Sequence, residues 1–116
     1  MEEAQHAKID TMLVEALASS CTSEETARAM EEYLEIGMFI DGGLGEQVTL
    51  NLSTLEAATD RILPDAERKS ITEAQRQALR WTYLGSGMAH QNFLETMERV
   101  LPGARSKLEG IAPSFS

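Results

Sequence analysis

The stretch TEAQRQALRWTYLGSGMAHQNFLETMERVL, residues 72–101, decides the fold. Its residues read as helix from end to end, it carries Trp81, Tyr83 and Phe93, and it has one flaw, the triplet Gly85-Ser86-Gly87 at its centre. A helix over 73–100 would be about 42 Å long. A compact chain of this size is only about 35 Å across, from a radius of gyration of about 13 Å. The helix must therefore break or kink at the triplet, or reach past its own fold onto a second protomer. Glycine in a helix interior costs about 1 kcal/mol relative to alanine and is expected where backbones approach closely. Gly85 and Ala89, four apart, leave a narrow strip flanked by Trp81, Leu84, Met88 and Phe93. The strip receives another helix of the same chain, a homodimer seam or a partner, and close packing that includes a second chain is the expectation.

Upstream, residues 2–20 set Ile9, Met12, Leu13, Ala16 and Leu17 at the spacing of an amphipathic helix, with Glu2 and Glu3 at its positive end. Thr22 and Glu25 form a capping box for a second helix, expected to run to about Ile40 and to be capped by Asp41-Gly42-Gly43. The end of that helix is apolar nearly all round: Tyr33, Leu34, Ile36, Met38, Phe39 and Ile40. An all-round apolar segment is buried on several sides, by the centre of a bundle or by a second chain. Residues 44–52 fit either a strand or a helical stripe, with helix or irregular loop favoured. Ser53 and Glu56 offer another capping box for a helix that halts at Pro64. Residues 64–70 read as an exposed connector, the last helix as starting at Ser70 or Thr72, a turn as falling at Pro102-Gly103, and 112–116 as a flexible tail.

The expectation is an all-α protein: one domain over 1–116, a small bundle of four to five helices with a long C-terminal helix, kinked or close-packed at Gly85-Ser86-Gly87. At 116 residues one hydrophobic core suffices without disulfides, and the single cysteine, Cys21, has no internal partner. With no signal peptide and no long apolar run, the reading is cytoplasmic, with no membrane span.

The net charge of −9 sits in the N-terminal half, where 13 acids from Glu2 to Asp60 face Lys8, Arg28 and Arg61. Such a field repels nucleic acid and anionic lipid. No residue set carries chemistry. His6 and Asp10 are two metal ligands at most. His90 has no nucleophile to serve and reads as a surface or interface side chain. Ser86 lacks the flanking glycines of a nucleophile elbow, since Leu84 and Met88 stand there. Gly42, Gly43 and Gly45 have no basic neighbour for a phosphate loop. No enzyme, cofactor or metal site is expected.

What remains is a small acidic regulator that binds and inhibits or sequesters a protein partner, in the manner of an antiactivator holding a transcription factor. It would act as a homodimer, with Tyr33, Ile36, Phe39, Ile40, Trp81, Leu84, Gly85, Met88, Ala89 and Phe93 as the partner or dimer interface. The alternative is an acidic decoy mimicking nucleic acid, a phage-type inhibitor of a DNA-binding protein. It requires Glu24, Glu31, Glu32, Glu35 and Asp41 to form one exposed band.

Overall fold

A computed structural model describes the backbone of residues 2–116 and the side chains from Ala4 onward. All elements among the described residues are helical. Helix α1 spans Glu2–Ser19 and α2 spans Ser23–Thr59. Helix α3 begins at Asp65–Arg80, continues through a π-helical stretch at Trp81–Gly85 and ends with the turn Ser86–Met88. Helix α4 is Gln91–Val100, α5 is Ala104–Ile111, and a 3-10 turn, Ala112–Phe115, closes the chain. The side chains of Glu2 and Glu3, expected against the positive end of α1, lie outside the described residues.

The expected cap of α2 at Asp41-Gly42-Gly43 does not form. The helix runs on for 37 residues, about 56 Å at the standard rise, and it becomes the long axis of a 56 × 30 × 19 Å molecule. Glycine propensity loses here because one face stays anchored across the gap. Met30, Leu34, Gly37, Val48 and Leu52 are buried along it, and half-buried Asp41 accepts a hydrogen bond from Arg80 Nε of α3 at 2.5 Å. Residues 44–52 are therefore helix. The expected Ser53 cap is not made either, since the Ser53 hydroxyl donates back to the Thr49 carbonyl. Glu56 instead shapes the following turn, accepting from the Leu63 amide at 3.1 Å and from Arg68 at 2.6 Å. Asp60, at φ 48°, takes the left-handed conformation that ends α2. At the other end the Thr22–Glu25 capping box is present in both directions, and those bonds from Thr22 hold the Glu25 carboxyl below its usual pKa.

The stretch 64–70 is not a connector. Pro64 precedes the first turn of α3, where its fixed φ suits a helix start and Asp65 and Glu67 offset the helix dipole. The pairs Asp41–Arg80 and Glu56–Arg68 run in opposite sequence directions, so α2 and α3 form an antiparallel hairpin.

The quoted stretch is broken, but not at its glycines. Through Gly85-Ser86-Gly87 the backbone stays helical, with a π-type bond from the Ser86 amide to the Trp81 carbonyl. The chain turns at Ala89-His90, where His90 becomes extended and its Nδ1 accepts from the Asn92 amide at 3.2 Å, starting α4. The expected turn at Pro102-Gly103 is present, with Gly103 at φ 93°. Glu98 ties it down by accepting from the Gly103 amide at 3.1 Å and the Arg105 amide at 3.0 Å, which pulls its carboxyl pKa down.

The core joins α2, the end of α3, α4, α5 and the closing turn: Met30, Leu34, Leu84, Met88, Leu94, Ala104, Leu108, Ala112 and Phe115. The flexible tail expected over 112–116 is packed instead. Phe115 is 4 % exposed, and the Arg80 guanidinium lies 5.5 Å from its ring centre while also holding Asp41. One arginine thus couples the tail to both long helices.

Candidate interaction surface

Of the expected interface residues, Leu84, Gly85 and Met88 lie inside the protomer and are not available to a second chain. Gly85 is a close-packing point, as its helix position implied, but the packed groups are the chain's own. A Cβ there would stand 2.5 Å from Trp81 Cε3 and 3.3 Å from Phe115 Cβ. Phe93 is half-buried and packs against Tyr33 with ring centres 5.8 Å apart and ring planes tilted by 45°, and burial raises the Tyr33 phenol pKa. Trp81 and Ala89 reach the surface. Two open clefts of about 410 and 430 Å³ flank Trp81, lined on one side by Leu94, Ala112 and Pro113 and on the other by Ala74, Gln77 and Ala78.

Ile36, Phe39 and Ile40 remain outside, with Phe39 85 % exposed. At about 100° per residue, Ile36, Phe39, Ile40, Gly43, Gln47 and Leu50 share one face of α2. The buried stripe Met30–Leu52 lies about a third of a turn away. Helix α2 therefore carries two apolar faces and the protomer covers one. This is the meaning of the all-round apolar segment: one side serves the fold and the other is unpartnered.

Helix α1 is more unbalanced still. It packs on α4 through its more polar face, where Thr11, Glu15 and Ala18 are half-buried and Glu15 bonds Arg99 at 2.6 Å. Its amphipathic stripe points the other way: Ile9, Met12, Leu13 and Leu17 are each more than half exposed. The helix was legible in the sequence. That its apolar face would turn from its own core was not.

No protein-family model, curated protein or solved structure matches the chain. The surface must be read from its own geometry. The protomer exposes 8282 Å² for 12.8 kDa, whereas a compact monomer of this mass exposes about 6,300 Å². Its radius of gyration is 18.0 Å, against about 13 Å for a compact chain. The surplus of about 2,000 Å² per protomer goes with its elongated 56 × 30 × 19 Å shape.

The glycines separate along the same line. Gly37, Gly42, Gly43 and Gly45 all lie in the interior of α2, and a Cβ at any of them would meet nothing within 4 Å. Each costs about 1 kcal/mol in helix propensity, and no contact within the protomer requires its absent side chain.

Of the five acidic residues, Glu24, Glu31, Glu32 and Glu35 are exposed within about 100° of the α2 circumference, with Glu31 paired to Lys107, whereas half-buried Asp41 faces α3, is paired with Arg80 and lies outside that band. Among the described residues no group of three or more His, Cys, Asp or Glu side chains is placed to hold a metal, and His6 and Asp10 are both exposed. Cys21 is free and exposed at the α1–α2 turn. No helix among the described residues is long and apolar enough to cross a membrane. His90, expected as a surface or interface polar residue, is exposed and also has a structural task as the cap of α4.

Proposed function

We propose that this chain is a non-catalytic regulator of the cytoplasm that works as a homodimer and binds a protein partner through the outward apolar face of α1, inhibiting or sequestering it as an antiactivator does a transcription factor. The observation that carries the reading is the orientation of α1. A helix that shows Ile9, Met12, Leu13 and Leu17 to solvent while packing through Thr11 and Glu15 is built to be covered by something else.

The two uncovered apolar faces support two occupants rather than one. A self-contact along α2 leaves the stripe of α1 for a client. The charge of the N-terminal half, with 13 acids against three bases, fits a client whose apolar groove has a basic rim, because complementary charge steers encounter and fixes register. Client capture then weakens as salt rises.

The test is affinity capture from the source cell with the native chain and with Leu13→Asp/Leu17→Asp, each checked for helicity by circular dichroism. The expected result is one client at fixed stoichiometry with the native chain and none with the folded variant. A native chain that retains no client, or a variant that retains the same one, refutes the reading.

A further inference from the structure

We infer that the outer stripe of α2 is covered by the same stripe of a second copy of this chain, running antiparallel, with Gly43 on the two-fold axis. The inference rests on the reading of the exposed apolar faces as interaction surfaces, and it commits the α2 face to one occupant.

The first argument is spacing. Tyr33, Ile36, Ile40, Gly43, Gln47, Leu50 and Thr54 follow one another at alternating three- and four-residue steps, the seam of a two-helix coiled coil. A polar residue in the interior of such a seam, here Gln47, serves to fix register, and Thr54 is the polar residue at its end. Along the seam Ile36 and Leu50 are 59 % and 61 % exposed and Ile40 41 %, while Tyr33, at 40 %, also packs on Phe93 of its own chain.

The second argument is self-complementarity. In a two-fold contact each residue i meets a residue j, and j meets i. With the axis at Gly43, Ile36 of one copy meets Leu50 of the other, seven positions to either side, while Phe39 lies over Gln47, Ile40 over Glu46 and Tyr33 over Ser53. The two glycines then meet each other at the point where the helices come closest, which gives Gly43 a use that the protomer lacks.

The third argument is charge, and it selects the direction. In a parallel pair Glu32 and Glu35, which flank the seam, would each face their own copies, and like charges across a helix pair are unfavourable. In the antiparallel pair Glu32 faces Thr54 and Glu35 faces Asn51. The more acidic half of each helix, six acids against Arg28, therefore lies beside the less acidic half of its partner, which holds Glu46 and Glu56.

The experiment uses the full chain with Cys21→Ser, to remove its free thiol, and needs no client. Sedimentation gives the native mass, expected at twice 12.8 kDa. Ile36→Asp/Leu50→Asp is expected at the single-chain mass with helicity retained. Cysteine pairs then read the register, because a disulfide forms only where Cα atoms come within about 7 Å. Ile36→Cys and Leu50→Cys, co-expressed with different tags, are expected to crosslink to each other at least tenfold more than either does to itself. Gly43→Cys is expected to crosslink to itself. A single-chain mass for the native protein, self-crosslinking of Ile36→Cys, or no mixed crosslink overturns the inference. Leu13→Asp/Leu17→Asp leaves this pattern unchanged, so loss of client binding and loss of the seam are told apart.

Discussion

Gly85→Ala and Gly87→Ala, two residues apart on the same helix, are expected to change stability in opposite directions. Both positions have helical backbone angles, so a methyl group at either gains about 1 kcal/mol of helix propensity, less near the end of the helix. At Gly87 nothing lies within 4 Å of the new Cβ, and the gain stands. At Gly85 the Cβ lands 2.5 Å from Trp81 Cε3 and 3.0 Å from Cζ3, with Phe115 Cβ at 3.3 Å on another side. The indole must leave its place, and overpacking of this kind costs about 1–3 kcal/mol. The net expectation is a loss of about 1 kcal/mol for Gly85→Ala and a gain of about 0.5 kcal/mol for Gly87→Ala. The assay is urea unfolding at fixed protein concentration, followed by circular dichroism and by Trp81 fluorescence. Because Trp81 is the only tryptophan, Gly85→Ala should also shift its emission while Gly87→Ala leaves it in place. Equal or greater stability for Gly85→Ala, with unshifted emission, would refute the close packing of Trp81 over Gly85.

Two further perturbations test the parts that the chain ends depend on. Phe115→Ala removes a side chain that is 4 % exposed and lies beside Arg80; the expected loss is about 3 kcal/mol, and a change within about 0.5 kcal/mol would mean that the last residues are frayed after all. Glu98→Gln tests the α4–α5 turn through its pH dependence. Folding lowers the Glu98 pKa through the Gly103 and Arg105 amides, so its stabilisation is full above the unfolded carboxylate pKa of about 4.3 and is lost as pH falls through the lower folded value. The stability gap between native and variant should therefore be wide at pH 7 and should close as pH falls below the unfolded carboxylate value of about 4.3, as read by thermal unfolding across a pH series; an unchanged gap would rule the turn contact out.

The features that could be read from the sequence are local ones. The α1 stripe, the Thr22–Glu25 box and the Pro102-Gly103 turn each depend on residues within a few positions, and all three are present. Those that were misread depend on distant partners. Asp41-Gly42-Gly43 has the composition of a helix stop, but Arg80, 39 residues on, holds Asp41 in a continuing helix. The bend falls at Ala89-His90 because a histidine ring nitrogen caps α4, a role outside the usual Ser, Thr, Asp and Asn set. Phe115 looked like a stray aromatic at a loose end, and its burial needs Gly85 and Arg80 from the middle of the chain. The interface residues divide for the same reason. Leu84 and Phe39 are alike as apolar residues on helices, and only the packing of α3 against α5 and the closing turn sends one inward and leaves the other out.

The glycines take this a step further. Gly85 has a task within the protomer, and so does Gly103, which takes a positive φ. The four in α2 have none, yet they sit in the element with the longest span, beside an uncovered apolar row. Four glycines in one helix forfeit about 4 kcal/mol of propensity, a large part of the 5–15 kcal/mol or so that separates folded from unfolded domains. The tertiary contacts of one face, Leu34 to Leu52, must offset this for α2 to persist alone. A second helix lying along the other face would add its own burial at the site of that weakness, and Gly43 would let it come close. Folding of α2 and association of two chains are then coupled: whatever covers the outer stripe also holds the spine of the molecule straight.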